Sequence, residues 1–396
     1  MSLVGHNLPP ASYGRLLDII RSAGPLSRVE IAQRAELTQA SVSIIVRTLL
    51  NDGLIREAGK AQSTGGKRRI LLEVVPNARY AVGIHLSDDS IVYVVTNMVG
   101  GMIGRCRRPG PGNMHPSLVT GRIVDEIDQL LKSLGIRRDA VVGIGIVAAG
   151  PLDYAGGIIV GSPAMRHWDT FPLRDELSSR TGLPVAVDND ATAAAIGEFW
   201  GGRVDAPLSF ACLYMGIGIG SGIVMNGVPL RGSASNAGEI GHVSLDVFGE
   251  SCYCGNRGCL EMYAGPAAVI KQARQMGSAP QDLKVTDTTK AFDHVARLAV
   301  NSDQVALKCI RQSADYIADG AITLANMTDL DLIVLGGSGF AIAGAIYIEA
   351  IRPALAERSF ARRAHATQVR LSSNPRDAAA LGASALVLQQ ALAPRP

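Results

Sequence analysis

Residues 238–261 read GEIGHVSLDVFGESCYCGNRGCLE and gather four potential metal ligands in one short stretch. His242 is followed after nine residues by Cys252, and Cys254 and Cys259 come next. Three thiolates and one imidazole form a closed tetrahedral donor set, which suits Zn²⁺ in a structural role and leaves no position for a catalytic water. The stretch therefore predicts a structural zinc site. The alternative is a chance cluster of reduced cysteines.

The composition indicates a packed protein with several domains. The 396 residues are 47% hydrophobic and 18% charged, which excludes a largely disordered chain, and the length suggests two or three domains. The sequence shows no basic segment followed by an apolar run at its start, and no uninterrupted apolar stretch of about 18 residues. We therefore expect a cytoplasmic protein without membrane association, in which clustered cysteines favour a metal site over disulfides.

Positive charge is concentrated in the N-terminal fifth of the chain. Residues 1–76 hold ten Lys and Arg against six Asp and Glu, whereas the remaining 320 residues hold 28 against 29. The formal net charge of +3 is thus +4 at one end and −1 elsewhere. A small basic module on a nearly neutral body is typical of contact with nucleic acid through one end of the molecule.

The first fifty residues carry a helix-turn-helix pattern. Apolar residues recur at helical spacing over residues 13–22, and Ser27 with Glu30 forms a capping-box signature for a second helix. A third helix is predicted to begin near Gln39 and to end at residues 51–53. In this motif the helix after the turn enters the DNA major groove. The candidate DNA-binding residues on its outer face are Gln39, Ser41, Ser43 and Arg47.

Two predicted strands, residues 54–59 and 70–75, follow the third helix and are joined by a Gly-rich basic loop. This is the pattern of a wing, whose loop would meet phosphates beside the groove. The candidate contacts are Lys60, Lys67, Arg68 and Arg69. The alternative is a three-helix dimerisation module with a solvated basic hairpin.

Beyond Pro76, short apolar runs rich in β-branched residues alternate with helical patterns, which indicates an α/β body. Gly-rich stretches interrupt it at residues 82–90, 214–224 and 333–340. No Gly-Lys-Ser/Thr follows any of them and none fits GxGxxG at the start of a helix, so each is more simply a hairpin turn than a nucleotide contact.

Asp188, Asn189 and Asp190 lie between an apolar strand and an Ala-rich helix in the sequence AVDNDATAAAIGE. Ligands of α/β proteins bind at such C-terminal strand ends, where side chains and helix N-termini converge. Asp and Asn side chains at this place suit the adjacent hydroxyls of a polyol. Capping of the helix by one of the three is compatible with this interpretation and accounts for only one of them.

Taken together, these motifs resemble the ROK family (repressors, open reading frames and sugar kinases) over about residues 12–390. The resemblance is carried by STGGKRR, GSPAMRHW, VDNDATAAAIGE, GIGIGSGIV, GEIGH with CYCGNRGCLE, and DAAALGASALV. It implies an α/β protein with an N-terminal winged helix-turn-helix and a two-lobed actin-like (ribonuclease H-like) sugar-kinase fold. We expect a DNA-binding domain at residues 1–76, a first lobe at 77–190, and a second lobe at 191–396 whose C-terminal helix returns to the first lobe.

The resemblance also implies a carbohydrate pocket beside the zinc loop. By this resemblance, the sugar-binding residues are Asn189, Asp190, Glu239, His242 and Glu261, and the metal ligands are His242, Cys252, Cys254 and Cys259. One position departs from the family pattern. Ala164 stands where the family often has an Asn that reaches the sugar, which would shift specificity or weaken binding, with Arg166 or His167 as possible replacements.

Kinases that share this pattern carry a DxGGT-like turn for ATP phosphates and Mg²⁺, and the matching stretch here is GIHLSDDS, residues 83–90. His85 replaces the acid, Ser87 and Asp88 replace the glycines, and Asp89 replaces the threonine. Each added carboxylate would repel a triphosphate by roughly 1 kcal/mol or more at about 4 Å, even when strongly screened. Because phosphoryl transfer depends on positioning and electrostatic stabilisation, we expect a sugar sensor and no enzyme.

The sequence thus predicts a sugar-responsive transcriptional regulator, expected to repress carbohydrate-metabolism genes until a sugar or sugar phosphate releases it from operator DNA. It would act as a homodimer or homotetramer on double-stranded DNA with two-fold related half-sites. The main alternative is an ATP-dependent sugar kinase with an appended DNA-binding domain. A third possibility is an activator, or a regulator controlled by a protein partner with a vestigial pocket.

Overall fold

The computed structural model describes residues 11–60, 68–160, 163–201, 209–278 and 288–392. The N-terminal module consists of three helices and a small antiparallel sheet in the order β1-β3-β2. Its elements are α1 (Ala11–Ala23), β1 (Leu26–Ser27), α2 (Arg28–Ala35), α3 (Gln39–Asn51), β2 (Ile55–Lys60) and β3 (Ile70–Val74). The predicted winged helix-turn-helix is confirmed, and β1 adds a strand that the sequence did not indicate.

Local hydrogen bonds explain where the helices of this module begin. The Ser27 hydroxyl accepts from the backbone N–H of Glu30, whose carboxylate accepts from the Ser27 N–H at 2.8 Å, as the capping-box signature predicted. Thr38 caps α3 by accepting from the Ser41 N–H at 3.2 Å. Between the two helices Glu36 takes a left-handed conformation (φ 54°), which makes the turn tight. The buried side chains of the core include Leu16, Leu17, Ile20, Ile31, Val42, Val46 and Leu49.

The next part of the chain builds a five-stranded sheet in the order β10-β7-β4-β5-β6. The strands β10, β7 and β4 are parallel, while β4, β5 and β6 form an antiparallel meander. The elements are β4 (Tyr80–Leu86), β5 (Ser90–Asn97), β6 (Met102–Pro109), α4 (Pro116–Ser133), β7 (Val141–Ala148), β8 (Leu152–Asp153), β9 (Ile158–Ile159), α5 (Leu173–Thr181) and β10 (Val185–Asn189). Strands β4, β5 and β7 are buried almost throughout because both faces of this part of the sheet are covered.

A second five-stranded sheet follows in the order β13-β12-β11-β14-β15. Its elements are α6 (Asp190–Trp200), β11 (Phe210–Met215), β12 (Ile219–Met225), β13 (Val228–Pro229), α7 (Leu260–Ala264), α8 (Pro266–Gln275), α9 (Thr288–Val300), α10 (Gln304–Thr328), β14 (Leu332–Gly336), α11 (Gly344–Arg358), β15 (Gln368–Leu371) and α12 (Ala378–Leu392). Two mixed sheets with helices are the architecture that the motifs implied.

Helices α6 and α12 cross next to the two sheets. Helix α12 contacts β4, β5 and β7 of the first sheet and packs against α6, which also contacts β11 and β12 of the second. Both helices are rich in Ala and Gly and are buried over most of their length. At their crossing, a Cβ atom on Gly382 would lie 1.9 Å from the carbonyl oxygen of Ala193. Small residues therefore let the two backbones touch, which positions the junction between β10 and α6.

The N-terminal module contacts the other ends of these two helices. The guanidinium of Arg21 lies 3.9 Å from the centre of the Trp200 ring, at the end of α6, and also donates to the Trp200 carbonyl oxygen. Asp18 accepts two hydrogen bonds from Arg21, at 2.7 and 3.1 Å. Leu392 of α12 and Met98, which follows β5, both pack against the apolar core of the module. Helix α6 therefore runs from the end of β10 to the N-terminal module.

Among the residues that the structure describes, no helix is both long enough and apolar enough to span a membrane.

Candidate functional site

A cavity of about 570 Å³ lies at the C-terminal end of β10. Its walls come from residues 149–151 after β7, from the β10–α6 junction, from the β11–β12 hairpin and from the loop that precedes α7. The volume is within the range typical of small-molecule sites. All five residues predicted to bind sugar line this one cavity, namely Asn189, Asp190, Glu239, His242 and Glu261.

The three polar residues at the end of β10 have different roles. Asn189 caps α6, because its side-chain oxygen accepts from two backbone N–H groups of the first turn at 2.9 and 3.1 Å, and its amide NH₂ is left to donate to a ligand. Asp190 lines the cavity beside it. Asp188 is fully buried and binds Arg231 through contacts of 2.7 and 3.1 Å, so it supports the junction. Helix capping thus uses the side-chain oxygen of Asn189 and leaves its NH₂ group available.

Carboxyl groups make the cavity acidic. Burial, and then the charges of Asp190 and Glu261, raise the pKa of Glu239 to about 7. Burial also raises the pKa of Glu261, whose carboxylate accepts from the backbone N–H of Ile219 at 2.7 Å. The cavity therefore offers several acceptors together with a Glu239 carboxyl group that is easily protonated and then donates. This combination suits a neutral ligand with many hydroxyl groups.

The four predicted metal ligands form one cluster. One donor atom from each of His242, Cys252, Cys254 and Cys259 lies within 4.8 Å of the others. The Nδ1 atom of His242 is 3.6 Å from the sulfur of Cys252, so Nδ1 is the imidazole nitrogen that faces the cysteines. Three thiolates this close would repel each other unless a cation lay among them. The cluster could therefore hold a metal ion.

The shape of the loop that carries these ligands depends on a glycine. Gly258 has a φ of 63°, and a Cβ atom there would lie 1.8 Å from the carbonyl oxygen of Asp246. Backbone bridges from Ser244 to Cys259 and from Ser251 to Arg257 close the loop. A glycine is therefore needed at this position.

Sequence reasoning missed Tyr253, which also lines the cavity. Its hydroxyl lies 3.1 Å from Nε2 of His242, and the two rings meet edge to face with centroids 5.2 Å apart. Burial, and then the nearby Glu261 carboxylate, raise the pKa of this hydroxyl. The available signal was its position between Cys252 and Cys254, which brings any side chain there close to the pocket.

On the other side of Asp190, the stretch GIHLSDDS forms the turn between β4 and β5. The Ser87 N–H donates to the Ser90 carbonyl oxygen at 3.0 Å, so this stretch is a hairpin turn, as predicted. His85 points at the pocket carboxylate, with its Nε2 atom 3.6 Å from Oδ2 of Asp190. The cavity next to His85 measures only about 20 Å³. Three arginines on its wall are paired with carboxylates, as Arg105–Asp377, Arg107–Asp89 and Arg376–Asp293.

Most of the candidate DNA-binding residues that the structure describes are exposed on the N-terminal module. Gln39, Ser43 and Arg47 are exposed on α3, while Ser41 is half-buried and lies with its hydroxyl 2.9 Å from that of Thr38. Sequence reasoning missed Ile44, which is 66% exposed on the same helix although it is apolar. Lys60, Arg68 and Arg69 are exposed at the base of the wing. Lys67 and the side chains of Ala164 and His167 lie outside the described residues.

Comparisons with known proteins agree with this architecture. The xylose repressor of Caldicellulosiruptor bescii is 28% identical over 371 residues, which cover 93% of this chain and 92% of that protein. The crystal structure of a ROK family transcriptional regulator, a homologue of the Escherichia coli MLC protein, has a TM-score of 0.75 and 24% identity, and the match covers 97% of this chain and 96% of the other.

A solved kinase is also similar. The ROK family glucokinase from Streptomyces griseus, in complex with glucose and AMPPNP, has a TM-score of 0.65 and 28% identity, and the match covers 78% of this chain and 98% of the kinase. The repressor and the regulator therefore match nearly the whole chain, whereas the kinase leaves about a fifth of it unmatched. The model of the ROK family matches residues 81–390, and this chain is a member of the ROK family.

Proposed function

We propose that this protein is a sugar-responsive DNA-binding transcriptional regulator, a repressor of carbohydrate-metabolism genes that leaves its operator when a sugar binds. The observation that carries the proposal is the presence in one chain of a winged helix-turn-helix and of a cavity lined by all five side chains that were predicted to bind sugar. The alternative is an ATP-dependent sugar kinase with an appended DNA-binding domain.

Sugar would bind in the 570 Å³ cavity. The amide of Asn189 would donate to one hydroxyl, Asp190 and Glu261 would accept from others, and Nε2 of His242 faces the cavity because Nδ1 faces the cysteines. Protonated Glu239 would add a further donor. Three carboxyl groups oppose a phosphate at this place, which favours a free sugar over a sugar phosphate.

The metal cluster would hold Zn²⁺ in a structural role, through the imidazole of His242 and the thiolates of Cys252, Cys254 and Cys259. A bound zinc ion would supply rigidity to the loop, and no chemistry. Because the same loop carries the side chains of His242 and Tyr253 into the cavity and leads directly to Glu261, zinc would keep the sugar pocket in shape.

DNA would bind across α3 and the wing. We assign base-edge and phosphate contacts to Gln39, Ser41, Ser43 and Arg47, and an apolar contact with a thymine methyl group to Ile44, whose exposure is otherwise unexplained. Lys67, Arg68 and Arg69 of the wing would meet phosphates together with Lys60. The basic charge of residues 1–76 supports this assignment.

The region beside Asp190 opposes the kinase alternative. His85 stands where the related kinases have an acidic residue for Mg²⁺, and its Nε2 atom lies 3.6 Å from Oδ2 of Asp190. The neighbouring cavity is too small for a triphosphate, and its arginines are already paired with carboxylates. The full-length match to a repressor adds to this argument. We therefore assign no enzymatic activity to the protein.

Signal transfer would follow α6. Its first turn forms one edge of the sugar pocket, and its last residue, Trp200, contacts Arg21 of the N-terminal module. A sugar that favours one arrangement of the lobes would thereby change the placement of two winged helices in a homodimer or homotetramer on a palindromic operator. The proposal divides the chain into residues 1–76, 77–190 and 191–396 and places the protein in the cytoplasm.

A gel-shift assay with operator DNA selected from a random pool tests the proposal. Xylose, glucose and N-acetylglucosamine are titrated into the full-length protein, and at least one of them is expected to release the DNA. Glu239→Gln should weaken that response, whereas Glu250→Gln, on the exposed part of the same loop, should not. DNA binding that is insensitive to every sugar would contradict the mechanism, and sugar-dependent ATP turnover would support the kinase alternative.

A further inference from the structure

Tyr253 occupies a hydrogen-bonding position that a sugar would need. Its hydroxyl is 3.1 Å from Nε2 of His242, and both residues line the cavity. Since Nδ1 of His242 faces Cys252, Nε2 is the nitrogen that the imidazole presents to a ligand. The phenol thus engages one of the five proposed sugar-binding groups.

The ring of Tyr253 is held mainly at its hydroxyl end. The residue is 60% exposed, and its described ring contact is the edge-to-face packing on His242. Moving the ring into solvent would therefore expose little additional apolar surface. The main cost of displacing Tyr253 is the loss of its hydrogen bond to His242, and a hydroxyl of the incoming ligand can replace it.

We propose that Tyr253 is a specificity-determining residue of the sugar pocket, whose hydroxyl competes with one sugar hydroxyl for Nε2 of His242. A ligand displaces it only if it carries a hydroxyl that reaches this nitrogen. This inference rests on the proposed function, because it requires that the cavity binds sugar.

The substitution Tyr253→Phe tests the inference, because it removes the competing hydroxyl and keeps the ring. Isothermal titration of the full-length, zinc-loaded protein with xylose, glucose and N-acetylglucosamine should show a dissociation constant about 2- to 10-fold lower in the variant, the range expected for the net loss of one competing hydrogen bond. The monodeoxy analogue of the bound sugar that lacks the competing hydroxyl should not gain affinity.

Tyr263→Phe is the matched control. Its hydroxyl accepts from the backbone N–H of Glu250 at 3.3 Å, on the same loop, and Tyr263 is not among the residues that line the cavity. This variant should bind sugar like the wild type, and both variants should retain the same zinc content. A gain of affinity in Tyr263→Phe as well would assign the effect to the loop and overturn the inference.

The possible outcomes separate this inference from the proposed function. If the wild type binds a sugar and Tyr253→Phe binds it equally or more weakly, Tyr253 does not compete and the inference is wrong, while the proposed function stands. If only Tyr253→Phe binds a sugar, the inference is supported in its strongest form. If neither protein binds any of the sugars, the proposed function and the inference fail together.

Discussion

The crossing of α6 and α12 leaves no room for a side chain at Gly382. A Cβ atom there would lie 1.9 Å from the carbonyl oxygen of Ala193 and 2.7 Å from the backbone nitrogen of Ala194. Real Cβ atoms essentially never come within 3.0 Å of such atoms. Because the obstructing atoms are backbone, a substitution Gly382→Ala forces the two helices apart by about 1 Å, and no side chain can rotate to prevent this.

Two effects with opposite signs decide how much the free energy of unfolding falls in Gly382→Ala. Alanine is better than glycine in a helix interior by about 1 kcal/mol, which stabilises the variant. Forcing an extra methyl group into a close-packed interior costs typically about 1–3 kcal/mol, occasionally more, and the rigid obstruction places Gly382→Ala at the upper end. We therefore expect the free energy of unfolding to fall by about 2 kcal/mol, with weaker sugar binding because α6 carries Asn189 and Asp190.

Gly121→Ala is the control for this prediction. Gly121 lies inside α4, and a Cβ atom there would meet only the end of the flexible Arg180 side chain, at 3.2 Å. This variant should keep the full stabilisation that alanine gives over glycine in a helix interior, and it should be up to about 1 kcal/mol more stable than the wild type. Urea unfolding followed by circular dichroism, with sugar titration of each folded variant, measures both effects. Equal stability changes in the two variants would refute the reasoning about the helix crossing.

Three further predictions concern the metal loop, the wing and the joint between module and body. Cys254→Ser should abolish zinc binding, measured by metal analysis, and should weaken sugar binding about 10-fold or more because the loop loses its anchor. Arg68→Ala should weaken binding to all DNA sequences and lower the slope of log affinity against log salt by about 1, measured by fluorescence anisotropy. Arg21→Ala should preserve both sugar and DNA binding but reduce sugar-induced release in a gel shift, because Trp200 loses its contact with the module.

Much of the N-terminal module could be predicted because its signals are local. The capping box of Ser27 and Glu30 lies within one helical turn, and the apolar spacing of α3 is independent of the rest of the chain. The strand β1 could not be predicted, because two residues become a strand only by pairing with β3, more than 40 positions away. The contact of Arg21 with Trp200 could not be predicted either, since it depends on how α1 packs against the end of α6.

The metal ligands were predictable because donor type and spacing carry the chemistry. The set of five pocket residues was implied by the resemblance to the ROK family, and the structure brings each set together. Tyr253 and Ile44 were missed because nothing in their residue type distinguishes them. Their roles depend on where the side chains point in the folded protein. Tyr253 contacts His242, and Ile44 is exposed to solvent. The pairing of His85 with Asp190 likewise needs the register of β4 against β7 and β10.

The contact between the end of α6 and the N-terminal module has a consequence for the design of new regulators. Trp200 is almost fully buried, and Leu392 and Met98 belong to the same apolar surface that the N-terminal module covers. If the sugar-binding body of a kinase were fused to this module, that body would lack the apolar surface that contacts the module here. The two halves would then move independently, and DNA binding by the hybrid would not respond to sugar. A hybrid regulator for another sugar should therefore receive the N-terminal module together with the surface around Trp200, Leu392 and Met98 that the module contacts.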